Sequence, residues 1–226
     1  MAPVEIDGNP ITGATIDGTD VQEITVDGDV VFTAVSTVDD FENQNLNIWT
    51  GDTGSFAIDT SIVKVGSASS KYTSTNSFDS ITTTTGIDGT PDAGDRHQIW
   101  MFASTNNDSS PRVAYANDTA GNRYQVGIFT QSNLFVCQLI NNSSFGGNLA
   151  STSVSLGSQW YLVEMFHDTN GDFEHTLYDS DGTTQLAQIT GNDSTHITGG
   201  SFNNTGATLQ DGTGEASRWD HWIITS

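Results

Sequence analysis

The stretch QWYLVEMFHDTNGDFEHTLYDSDG, Gln159 to Gly182, carries the reading of the fold. In an extended chain successive side chains point to opposite faces. Trp160, Leu162, Glu164 and Phe166 then share one face of the first segment, and Tyr161, Val163 and Met165 share the other. A strand that is apolar on both faces belongs inside a sheet, not at its edge. An Asn170-Gly171 turn follows. The chain returns through Phe173 and Leu177 on one face and Tyr178 on the other, and turns again at Asp181-Gly182.

The same texture extends in both directions. HQIWMFAS, His97 to Ser104, is apolar on both faces from Ile99 to Ala103 and reads as a second central strand. RVAYA, NRYQVGIFT and LFVCQLI follow as strands. Shorter strand pieces are expected near Ile48, at Phe56 to Ile58, at Ile62 to Val65 and at Lys71 to Thr73. In the closing RWDHWIITS, strict alternation puts Trp222 and Ile224 on one face and Trp219, His221 and Ile223 on the other. No window keeps a helical i, i+3, i+4, i+7 apolar spacing, and Gly, Asn, Asp and Ser clusters separate the apolar runs. Residues 36–226 therefore read as about a dozen antiparallel strands in two packed sheets, an all-β sandwich.

Residues 1–35 differ. Asp7-Gly8, Asp17-Gly18 and Asp27-Gly28 recur every ten residues between short apolar pieces. Asp-Gly supplies the positive φ that tight hairpins need. The segment reads as a small β-meander with too few strands to bury a core of its own. It is expected to anchor or oligomerise the chain.

Charge sets the partners. The chain carries 28 Asp and Glu against 6 Lys and Arg, a formal net charge of -22. Such a surface repels nucleic acid and anionic lipid, and at low salt it repels itself. Molar salt shortens the Debye length to about 3 Å and removes that penalty. The excess of Asp and the presence of only two lysines, Lys64 and Lys71, point to an extracellular, high-salt setting. No run approaches the ~20 apolar residues of a membrane span, so no membrane insertion is expected. MAPVEIDGNP lacks the basic and apolar regions of a secretory signal; release within an assembled particle is one route outward. The single cysteine, Cys137 in LFVCQLI, reads as a buried small hydrophobe.

The segment DDFENQNLNIWTGDTGSFAIDTSIVKVGSASSKYTS resembles the opening of laminin-G-like, concanavalin-like jelly-roll domains of haloarchaeal proteins. QWYLVEMFHDTNGDFEHTLYDSDGTTQLAQ and RWDHWIITS are similar to later strands of that family. The resemblance covers 36–226 and implies an antiparallel jelly-roll β-sandwich. VQEITVDGDVVFTA resembles strand–turn–strand units of tailed-virus structural proteins. Together they imply a virion surface protein of a halophilic archaeal virus: a capsid turret or decoration, a spike or a tail fibre. Its partners would be its own copies in a trimer or pentamer, other capsid or tail proteins, and a host surface glycan. The alternative is a carbohydrate-binding module of a haloarchaeal secreted or cell-surface protein.

No catalytic residue is assigned. Jelly-roll glycosidases need two carboxylates across a cleft, and none of the six glutamates stands in the usual Glu-x-Asp-x-x-Glu pattern. There is no G-x-S-x-G elbow. Calcium is the cofactor the residues suit best, because it takes six to eight oxygen ligands. Asp168, Asn170 and Asp172 offer alternating oxygens around a Gly turn. The resemblance adds a second set, Asp39, Asp40 and Glu42 with Asp220, between the opening and closing strands. For glycan contacts, the Asn- and Gly-rich loops offer Asn107, Phe145, Asn148, Phe202 and Asn203.

Overall fold

The computed structural model describes residues 35–74, 79–83, 91–105, 109–202, 206–211 and 216–225, together with the strand backbone of short segments between residues 5 and 33. In the N-terminal part β1 (Glu5–Ile6) pairs with β2 (Asn9–Pro10), β3 (Thr15–Ile16) with β4 (Thr19–Asp20), and β5 (Glu23–Val26) with β6 (Asp29–Thr33). Among the described residues each pair is a two-stranded unit. The Asp-Gly turns lie outside the described residues.

The rest is an antiparallel β-sandwich of jelly-roll type. Its strands run in order β7 (Val35–Asp39), β8 (Trp49–Gly51), β9 (Phe56–Asp59), β10 (Ser69–Tyr72), β11 (Ser80–Thr83), β12 (Arg96–Ala103), β13 (Arg112–Tyr115) and β14 (Arg123–Phe129). They continue through β15 (Leu134–Asn141), β16 (Ser144–Ser153), β17 (Gln159–His167), β18 (Asp172–Tyr178) and β19 (Gln185–Asn192). A short hairpin of β20 (Ile197–Thr198) and β21 (Ser201–Phe202) precedes β22 (Thr208–Gln210) and β23 (Arg218–Thr225). One sheet has the order β19-β18-β17-β12-β23-β10-β9, with β7 on the remaining half of β23. The other has the order β16-β15-β14-β13-β22-β11-β8. Both strands that read as two-sided, β12 and β17, lie side by side in the interior of the first sheet.

Alternation fills the space between the sheets. Tyr161, Val163 and Met165 of β17 face Tyr115, Tyr124, Val126 and Phe135 of the second sheet in one core. Trp160, Leu162, Glu164 and Phe166 take the other face, as expected. Cys137 is buried in that core.

The closing strand departs from strict alternation. Trp219 and Trp222 are three residues apart, yet both are fully buried in the core. A β-bulge makes this possible: on β12, Gln98 pairs with Ile223 while Trp100 pairs with Asp220, so one residue opposes two. His221 takes φ 48 and absorbs the extra residue. Trp219 thereby joins the core face, against the expectation that it lies opposite Trp222. Ile62 to Val65 also departs from expectation, forming a bend and not a strand. The Lys64 and Val65 N–H groups donate to Asp220 Oδ2 at 2.8 and 2.9 Å instead of to a neighbouring strand.

Candidate functional site

The outer face of the second sheet holds a groove of about 630 Å³. Its floor follows from strand alternation. Tyr124 and Val126 point inward on β14, so Arg123 and Gln125 point outward; Arg112 on β13 and Gln138 on β15 do the same. Gln210 of β22 and Ser80 of β11 continue the floor, and Ile140, Ser143 and Phe145 form the wall at the β15–β16 turn. Phe145 is 64% exposed, more than any other large apolar side chain among the described residues.

Arg112 is positioned from several sides. It pairs with Gly127 on β14, and a Cβ added to Gly127 would lie 2.9 Å from Arg112 Cγ. Its guanidinium sits 4.6 Å from the centre of the Phe129 ring, a favourable cation–π distance. Its carbonyl accepts the indole N–H of Trp219 at 3.1 Å, which ties the groove floor to the bulged closing strand. Burial pushes the Arg112 guanidinium down to about 10, with nearby Asp211 opposing the shift and Arg123 adding to it. Arg123 is lowered by burial as well, and it donates to Gln210 Oε1 at 3.4 Å. Both remain cations at neutral pH. Gln125 and Gln210 are almost fully buried, while the Gln138 amide donates to Asn148 Oδ1 at 2.9 Å on the rim.

Of the glycan residues expected from sequence, the structure places Phe145 in the lining of this groove, and Asn148 beside it through its hydrogen bond to Gln138. Phe202 is corrected: it is 7% exposed and packs on Tyr115, Tyr124 and His167 in the core. Its polar loop context hid a side chain that the β20–β21 hairpin turns inward. Asn107 and Asn203 lie outside the described residues. The sequence reading missed Arg112, Arg123, Gln125, Gln138 and Gln210. The available signal was a period-two row of long polar residues within strands otherwise rich in apolar ones.

The residues considered for calcium do not converge. Asp168 Oδ1 accepts the N–H groups of Asn170 and Asp172, both at 2.8 Å, and Asp172 Oδ1 accepts from Asn192. Asp39 accepts the Phe41 N–H and the Trp49 indole N–H, Asp40 accepts the Glu42 N–H, and Glu42 accepts from Ser67 and Ala68. Asp220 is fully buried, and burial raises it to about 6. Among the described residues no three His, Cys, Asp or Glu side chains form a metal-sized group. These carboxylates are spent on turning and stapling the chain. Glu164 is bound to Arg96 and Gln98.

Two outward aromatics of the first sheet, Trp100 and Phe102, are capped by the chain's own cations. The Lys64 ammonium lies 4.2 Å from the Trp100 ring and the Arg218 guanidinium 5.2 Å from Phe102.

Comparison with known proteins adds the fold. No family model matches the chain, and no curated protein matches it. Among solved structures it is similar to a protein of unknown function from Shewanella oneidensis MR-1, at 16% identity and TM-score 0.55, covering 84% of this chain and 85% of that one. It is also similar to the exoplasmic/lumenal domain of VIP36 in its Ca2+/Man3GlcNAc-bound form, at 12% identity and TM-score 0.54, covering 81% and 85%. The carbohydrate-binding module CBM66 from Bacillus subtilis aligns at 12% identity and TM-score 0.50, covering 80% and 94%. These likenesses establish the jelly-roll sandwich.

Proposed function

We propose that this chain is a glycan-binding jelly-roll domain that holds its ligand in the groove of the second sheet. The observation that carries the reading is the convergence, on one concave face, of amide and guanidinium donors with an exposed aromatic ring. Sugars present hydroxyls around an apolar ring face, so a site for them needs placed polar groups beside a flat apolar surface. Gln125, Gln138, Gln210, Arg112 and Arg123 supply the former and Phe145 the latter. The likeness to structures described as a carbohydrate-binding module and as a Man3GlcNAc-bound domain supports the reading.

The test is a glycan array with the full chain, followed by titration of the best ligand against Phe145→Ala and Gln138→Ala. Each substitution is expected to weaken binding about tenfold, which is about 1.4 kcal/mol. Array binding that neither substitution weakens would place the site elsewhere; no binding to any glycan would sink the proposal.

Display on a virion surface is a separate proposal. It rests on the resemblance of VQEITVDGDVVFTA, residues 21–34, to viral strand–turn–strand units and on the two-stranded pairings of that N-terminal part, which among the described residues join no strand of the sandwich. Deleting residues 1–35 is expected to leave glycan binding intact and to abolish self-association in molar salt. Unchanged association after the deletion would remove that role from the hairpins.

A further inference from the structure

The two open ends of the sandwich differ. At one end the sheets finish in β8 and β9, which are three and four residues long. The exposed Asp52 comes directly after β8. Short edge strands with charge beside them are the usual protection against pairing with another chain. At the other end the sheets finish in β16 and β19, ten and eight residues long and lying against each other. Among the described residues β16 pairs only with β15, and β19 only with β18. Neither strand carries Asp, Glu, Lys, Arg or Pro.

Charge is missing from this end on a larger scale. From Tyr124 to Val163, through β14, β15 and β16, no residue is charged, in a chain of net charge -22. Among the described residues, two of the four exposed large apolar side chains, Phe145 and Leu186, stand on β16 and β19. β16 therefore offers a long unpaired edge beside apolar side chains, with no carboxylate of its own to repel an approaching strand.

A copy of this chain is the partner that such an edge fits. Two copies repel each other across the rest of their acidic surface, so they approach most closely where carboxylates are missing. An outside partner makes no such demand, and a cationic one is drawn to the acidic faces instead. We propose that β16 pairs antiparallel with β16 of a second copy about a twofold axis, with β19 completing the contact. A twofold operation brings the same patch together from both sides, and one antiparallel strand satisfies it. The two second sheets then join into one, with both grooves on the same side. The pairing does not depend on what the grooves bind. The N-terminal hairpins and this edge act as two contacts of one assembly, so loss of either weakens it sharply.

The test is sedimentation velocity of the full chain in 1 M NaCl, where self-repulsion is screened. Ser151 is exposed on β16 and stands outside the groove lining. Ser151→Glu and, separately, Leu186→Glu place like charges across the seam and are expected to weaken self-association at least about tenfold. Thr60→Glu adds the same charge at the exposed bend after β9 and is expected to leave association unchanged. In hydrogen exchange, amides of residues 144–153 should exchange more slowly in concentrated than in dilute wild-type protein, and Ser151→Glu should abolish that difference. Association unchanged in Ser151→Glu, or weakened equally by Thr60→Glu, would overturn the pairing and leave the hairpins' role standing. Concentration-dependent protection confined to other strands would overturn it from the wild type alone, even if a variant failed to fold. A wild-type chain that stays monomeric in 1 M NaCl would remove both contacts.

Discussion

Acidification should destabilise this protein through histidines that it keeps neutral in the core. Four of its five histidines, His97, His167, His175 and His196, are buried. Their hydrogen bonds define the tautomers. His167 Nε2 lies 2.8 Å from the Asp193 carbonyl, so it carries the proton and donates. His167 Nδ1 then accepts from the Tyr115 hydroxyl at 3.2 Å, and the same oxygen accepts from His175 Nε2 at 3.0 Å. That leaves His175 Nδ1 as a bare acceptor, and it is the buried ring nitrogen without a partner. His97 Nδ1 accepts the Trp222 indole N–H at 3.3 Å, so it too lacks a proton. Protonating any of these nitrogens would bury an unpaired charge or set donor against donor. Burial accordingly drives His97 down to about 3, His175 well below the ordinary range, and His167 down as well.

The sign follows from linkage. Below the unfolded value of about 6.5, the unfolded chain takes up protons that the folded chain refuses. The stability is therefore complete above about pH 6.5 and is lost progressively as pH falls toward the folded values. For His97 alone, lowering pH from 7 to 5 costs about 2 kcal/mol, at 1.36 kcal/mol per pH unit below 6.5. His167 and His175 add to the loss. Asp220 works the other way: raised to about 6, it binds its proton more readily when folded and returns about 1 kcal/mol by pH 5. The difference between wild type and His97→Gln isolates the histidine. Glutamine keeps an acceptor for Trp222 and has nothing to titrate. Chemical denaturation at pH 7, 6 and 5 in constant molar salt should show a wild-type loss about 2 kcal/mol larger than that of the variant. Parallel pH slopes would refute the argument that His97 is held neutral.

Three further outcomes follow from the packing. Gly127→Val puts a side chain into the stem of Arg112, 2.9 Å from its Cγ; ligand affinity should fall about tenfold in titration although Gly127 itself offers no ligand group. Arg218→Met strands Asp59, whose carboxylate is hydrogen-bonded to Ser61 and bound to Arg218 Nε at 2.7 Å with both side chains buried. Breaking a buried pair from one side costs about 3 kcal/mol, measurable as a lower denaturation midpoint. The net charge of -22 predicts a melting temperature that climbs from 0.1 M to molar NaCl, and a flat salt response would count against the high-salt setting.

Where the chain's own periodicity governs, the structure follows it. Two-sided apolarity in β12 and β17 gave central strands, because a residue's face in a sheet depends only on parity until something breaks it. The bulge at His221 breaks it. Nothing local marks that position, since the extra residue is set by the register shift against Gln98 and Trp100, on a strand more than a hundred residues away. Phe202 failed for a related reason: Gly and Asn neighbours describe the backbone of a loop, not the depth at which its tip lands.

The candidate site shows where sequence reading stops. Phe145 and Asn148 drew attention as part of an Asn- and Gly-rich run that reads as a loop, although in the structure both lie on β16. Arg112 and Arg123 looked like ordinary strand ends, eleven positions apart, and only the β13–β14 register with Arg112 opposite Gly127 sets them on the same face. Arg123 reaches Gln210 Oε1 at 3.4 Å and Arg112 lies near the buried carboxylate of Asp211, so both cations are tied into the sheet by partners that come from a distant part of the chain, which no local reading of β13 or β14 could supply.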